Sequence, residues 1–205
     1  MQIENQIFYH IHTPDSGTPE LEIGKQYEAG NEANRFWRFY LEQEFRCGIT
    51  PYHGDHAAIA LDRHINSPLI ENPDLNKEML KYSSSVLFEC GMLLREMIFE
   101  EIRLREYHEA PSRRTALFIT NEVGLQYWMR WFVNSPRPKF LYRIQCSGII
   151  HRGSQQYLDS DITSYSDYEK EARNYWSGVN TDGKANTEIL FHGVWRILEP
   201  IGSVG

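Results

Sequence analysis

A chain of 205 residues with 41% hydrophobic and 24% charged residues has the size and balance of one globular domain, so a disordered or fibrous chain is excluded. Its longest apolar runs, such as Ile59–Leu61 and Ala116–Ile119, fall far below the ~20 residues of a membrane span. The formal net charge of −7 argues against indiscriminate binding to nucleic acid. Residues 1–6 lack the basic flank and apolar stretch of a signal peptide, and Cys47, Cys90 and Cys146 are too few and too uneven for a disulfide framework or a zinc motif. A single domain over residues 1–205, soluble and cytoplasmic, is the expectation.

The elements follow in chain order. Ile3, Ile7, Phe8, Tyr9 and Ile11 predict a strand, stopped by the loop Thr13–Pro19. A helix is predicted from Asn31 as N-cap through Phe45, then an irregular Gly-, Pro- and His-containing stretch over 47–73 with a short helix near Ala57–Leu61. From Leu75 to Tyr107 there is no proline, and Leu80, Leu87, Cys90, Leu94, Met97 and Glu101 recur at spacings of 3, 4 or 7. That predicts a long helix, with Ser83–Ser85 and Gly91 as places to kink. Thr115–Ile119 reads as a buried strand, Asn121–Phe132 as a helix, and Lys139–Gln145 as a strand. Ser166 and Glu169 fit a capping box for a helix over Ser166–Trp176. Two last strands, Ile189–Phe191 and Val194–Leu198, join at His192-Gly193. The composition is α+β.

Three stretches have residue types that do chemistry. In Tyr9-His10-Ile11-His12 a strand would place both imidazoles on one face, able to share a metal or a ligand, with His53, Asp55, His56 and His64 as further ligands. With Ser16-Gly17 and Pro19-Glu20-Leu21 this opening resembles the first metal motif of the polymerase-and-histidinol-phosphatase hydrolases, which implies a metal-dependent phosphoesterase as an alternative. No Asp-x-His follows His64 to complete that family's ligand set. In Ser112-Arg113-Arg114, followed by Ala116–Thr120 and a helix with Tyr127, Trp128 and Trp131, a guanidinium and a hydroxyl at the start of a strand can meet a phosphate. Glu188 opens a buried strand, a rigid mount for a carboxylate.

Taken in order, these blocks resemble the His-Tyr-Glu branch of the ADP-ribosyltransferase superfamily, and the pattern Glu100/Glu101, Pro111-Ser112-Arg113 and Phe118 resembles an uncharacterised bacterial domain family placed there. The resemblance implies a split β-sheet core with flanking helices and a helical insertion, and no metal. It implies NAD as substrate, bound by Tyr9, His10, Ser112, Arg113 and Tyr127, with Glu188 catalytic. His10 would hold the adenosine-side ribose and Tyr127 would stack on nicotinamide. The activity implied is mono-ADP-ribosyl transfer of a toxin or effector type to a macromolecular acceptor, RNA, DNA or protein, with a neutralising partner possible and no membrane involved. Asn186, two residues before the glutamate, points away from arginine as acceptor. The stretch from Arg103 to Arg152 carries nine Arg/Lys against three Glu, a local balance of +6 that would suit nucleic acid. A non-catalytic binding domain on the same fold is the remaining alternative.

Overall fold

In the structure, a computed structural model describing residues 1–14, 21–133, 137–158 and 164–204, the elements in chain order are β1 (Gln2–His12), β2 (Gln26–Ala29), α1 (Arg35–Glu42), α2 (Ala57–Ile65), α3 (Pro73–Glu106), β3 (Leu117–Ile119), α4 (Glu122–Phe132), β4 (Lys139–Ser154), α5 (Tyr165–Ser177) and β5 (Thr187–Val204). It is a mixed α/β chain with a five-stranded antiparallel sheet and five α-helices among the described residues. Two compact units divide it, one of Met1–Trp37 with Ile98–Gly205, the other Arg38–Met97. No helix among the described residues is long and apolar enough to cross a membrane.

The first unit is organised by β5. One edge of β5 pairs with β4 from Thr187 to Val204. The other edge is divided, with Ile189–Phe191 pairing β3 and Gly193–Arg196 pairing β2. β1 pairs with β4 and also touches β3, where Tyr9 and Thr120 exchange two 2.8 Å backbone bonds. The loop of pairings β1–β4–β5–β3–β1 therefore closes on itself, and the residues pointing into it form a core: Phe8, Ile119, Ile144, Cys146, Ile150, Ile189, Phe191, Trp195 and Ile197. Burial pushes the Cys146 thiol up to about 12. Because strand side chains alternate, Leu190 faces the opposite way, into a second core with Phe99 and Ile102 of α3 and Ala172, Tyr175 and Trp176 of α5.

Several expectations need correction. β5 is one strand and does not break at His192-Gly193: Gly193 lies opposite Gly148, both at positive φ (+137° and +156°), and a Cβ at Gly148 would lie 2.1 Å from the His192 carbonyl oxygen. The glycines let two backbones pass closely, so they continue the ladder where the sequence suggests a turn. α1 starts at Arg35 and is capped by Asn34, whose Oδ1 accepts from Trp37 N at 2.9 Å. α5 is capped by Ser164 accepting from Asp167 N at 3.2 Å, two residues before the expected Ser166. α3 runs unbroken through Ser83–Ser85 and Gly91, with Pro73 at its first position, where a missing N–H costs nothing. The expected start of α4 holds: Asn121 Oδ1 accepts from Gly124 N at 3.0 Å. β2 was not anticipated, being only four residues, of which Tyr27 and Ala29 turn to the core.

The second unit packs Cys47, Tyr52, Ala60 and Met79 together. His64 is buried there, its Nδ1 3.1 Å from Tyr52 Oη and its Nε2 2.6 Å from Asn76 Oδ1.

Candidate functional site

Glu188 is the second residue of β5 and shares the face of Leu190, so it points into the α3–α5 core. It is 8% exposed, and two groups meet its carboxylate. Arg113, in the segment between α3 and β3, forms a buried ion pair with it, and the Tyr175 hydroxyl of α5 donates to the same oxygen, Oε1. Arg113 Nη1 also donates to Tyr175 Oη at 2.9 Å, so the three side chains form a closed triangle. The guanidinium lies 5.2 Å from the Tyr175 ring centre and 5.6 Å from that of Phe118. Burial, then the Glu188 charge, hold the Tyr175 phenol well above its ordinary range, so it stays a donor. A buried carboxylate needs such company to remain charged.

A second buried ion pair adjoins it. Arg103 holds Glu100 through two bonds of 3.0 and 2.9 Å and also donates to the carbonyls of His108 and Ala110, while Ser112 Oγ donates to Glu100 at 2.9 Å. Ser112 and Arg113, expected to meet a pyrophosphate, are thus each turned to a carboxylate of the chain. Asn34 fixes this segment by donating to the carbonyls of Arg113 (2.7 Å) and Ala116 (2.9 Å). Arg114 lies 4.4 Å from the Trp37 ring centre, a cation–π contact.

His10 sits on the other face. Its ring is 5.8 Å from Trp195 of the β-lined core and its Nδ1 is 3.0 Å from the Phe118 carbonyl. Burial pushes its pKa down to about 4, against the raising effect of that carbonyl. At neutral pH the ring is uncharged, and because a carbonyl only accepts, Nδ1 carries the proton and Nε2 the lone pair. His12, 5.9 Å from His10, is lowered by burial and by Arg35. Lys139 is lowered by burial, then by Arg35 and Arg137, which places three cationic side chains near one another at the end of β1 where His12 pairs with Phe140.

The three blocks meet around β3. His10 binds the carbonyl of Phe118, Tyr9 is laddered to Thr120, and α4 reaches β5 through Trp128 Nε1, which donates to Thr187 O at 3.2 Å. Gly124 brings α4 close, since a Cβ there would be 2.4 Å from Thr120 Oγ1. Tyr127 is half-buried, its ring 5.1 Å from Trp128 and 6.4 Å from Trp131. The structure therefore brings Glu188, Arg113 and Ser112 into one buried polar cluster and ties Tyr9 and His10 to the residues of and after β3, but the His10 and Glu188 side chains occupy opposite faces.

Other motifs have local roles. Asp55 pairs with Arg63, His56 accepts from Ala58 N at 3.4 Å, and His64 is bound by Tyr52 and Asn76. Among the described residues no three His, Cys, Asp or Glu side chains converge as a metal site. Ser16, Gly17, Pro19 and Glu20 lie outside the described residues. Among the described residues, Arg103, Arg105, Arg113 and Arg143 of the stretch from Arg103 to Arg152 face carboxylates, which reduces the local positive charge. Sequence reasoning missed Tyr175, Asn34 and Gly153. Tyr175 reads as ordinary helix core, and nothing local marks it as the partner of a residue 13 positions away.

A family described as a protein of unknown function, DUF2441, has a model that matches residues 8–203. No curated protein matches the chain.

Proposed function

The chain belongs to the DUF2441 family, and we propose that it is an NAD-dependent mono-ADP-ribosyltransferase of the toxin or effector type, acting in the cytoplasm on a macromolecular acceptor, RNA, DNA or protein, and held in check by a neutralising partner. The observation that carries this reading is the joining of three sequence blocks around β3: the His10 strand, the Tyr127 helix and the strand opened by Glu188 are tied by hydrogen bonds to or beside it. The divided edge of β5, shared by β3 and β2, supports the split-sheet core that the resemblance implies.

NAD supplies the ADP-ribosyl group: its nicotinamide–ribose bond breaks with the electron pair leaving on nicotinamide, and an acceptor nucleophile bonds the ribose carbon and loses its proton. Positive charge develops on the ribose as in glycoside cleavage, and the Glu188 carboxylate is the chain's means of stabilising it. His10 Nε2, the unprotonated nitrogen, suits a ribose hydroxyl as acceptor. Tyr127, half-buried on α4, offers an aromatic face for nicotinamide. Ser112 and Arg113, which the resemblance assigns to the pyrophosphate, are bound to Glu100 and Glu188, so meeting a pyrophosphate requires them to exchange those partners.

Glu188→Gln tests the assignment. It should lower release of labelled nicotinamide by at least ~100-fold, and an undiminished rate rejects it. Counting label in protein and nucleic-acid fractions of a lysate at low and physiological salt separates the acceptors, because transfer to nucleic acid weakens steeply with salt. The burial of Glu188 against Arg113 favours one second reading, a non-catalytic domain that keeps this fold. It predicts no calorimetric binding of NAD.

A further inference from the structure

We propose that Tyr175 of α5 is a positioning residue for Glu188: with Arg113 it fixes the direction in which the carboxylate points. The proposal rests on the transferase reading above.

The geometry is specific. The Tyr175 hydroxyl donates to Glu188 Oε1 and receives Arg113 Nη1 at 2.9 Å, while Arg113 reaches the same Oε1. A carboxylate held from two directions, by donors that also bind one another, loses its freedom to rotate, which a single salt bridge does not achieve. The ring that carries the hydroxyl is wholly buried, its centre 5.5 Å from Phe99, 5.6 Å from His151 and 4.9 Å from Trp176. The sheet also makes room for it. Gly153 of β4 lies directly opposite Glu188, and a Cβ there would come within 2.1 Å of Tyr175 Cε2. A glycine thus stands at a β4 position from which a side chain would push the phenol ring away from its present place beside Glu188. Ordinary core packing needs the ring but not the oxygen. The oxygen is placed where a carboxylate and a guanidinium both use it, and such support is what keeps a reacting group within its productive orientation.

Tyr175→Phe keeps the ring and removes the hydroxyl. The experiment compares wild type, Tyr175→Phe, Glu188→Gln and the double variant in nicotinamide release, with NAD binding by calorimetry and urea unfolding of the same four chains. Tyr175→Phe should lower kcat roughly tenfold with KM and NAD affinity unchanged. The double variant should be no slower than Glu188→Gln alone, because Tyr175 acts through that carboxylate. The urea midpoints should likewise be non-additive, a readout independent of turnover. A folded Tyr175→Phe chain with wild-type kcat and additive midpoints, alongside a silenced Glu188→Gln, overturns the positioning role and leaves the transferase reading standing. A wild-type chain that leaves NAD intact, or a Glu188→Gln chain at full rate, overturns the transferase reading and this role with it.

Discussion

The two faces of β5 solve opposite electrostatic problems. On one, Glu188 is charged and buried, and Arg113 and Tyr175 are brought from separate elements to neutralise and bind it. On the other, the sheet encloses Phe191, Trp195 and Ile197, and the polar group that joins them, His10, is kept neutral by burial with one carbonyl as its partner. One face has a charge that must be matched, the other a group that is tolerated because its charge is given up. The first is the stronger constraint on sequence, since losing a partner leaves an ion in the core, whereas a neutral imidazole without its carbonyl forfeits one hydrogen bond.

The comparison is most directly broken at Arg113. Arg113→Met should cost about 3–5 kcal/mol of stability by chemical denaturation, because the buried Glu188 would lose its ion-pair partner. Adding Glu188→Gln to it should recover part of the loss, and no recovery would mean that Arg113 matters for packing alone. Next comes Gly153→Ala, which sets a methyl group against the Tyr175 ring and should cost about 2 kcal/mol, with a parallel loss of turnover if Tyr175 positions Glu188. Acid sharpens the contrast. His10 and His151 are both pushed down to about 4 by burial. An unfolded histidine titrates at about 6.5, so between these values the unfolded chain binds the proton and the folded one does not. Stability from this source is complete above about pH 6.5 and drains as the pH falls towards 4, by about 3 kcal/mol for each ring. Thermal unfolding followed from pH 7 to pH 4 should show it, and His151→Gln should flatten the slope.

How far the site could be read from sequence depended on the range of each signal. β1, α3, β3 and α4 carry their signals locally, in strand-type residues, apolar spacing and a proline-free run, and each formed close to where it was expected. Glu188 and Arg113 were legible as unusual residues at the start of a strand and in a basic turn. Their ion pair was not, since they lie 75 positions apart and nothing in either local pattern names the other. Arg113 reads as a phosphate ligand because a guanidinium before a strand suits either anion, and only the path of the segment held by Asn34 turns it to a carboxylate. Gly193 failed for a related reason. A glycine allows both a turn and a close strand crossing, and Gly148 on the partner strand decided between them.

By itself the sequence determined the α+β composition, the long third helix, and the order in which His10, Arg113, Tyr127 and Glu188 follow one another, because these depend on periodicity, capping and chain order. Tertiary structure alone decided which face of the sheet each side chain occupies, and therefore that Glu188 meets Arg113 and Tyr175 while His10 meets Trp195. The physical reason is the two-residue period of a strand: a shift of one residue in register exchanges the faces, and the register of β5 is set by pairing with β2, β3 and β4, none of which adjoins it in sequence.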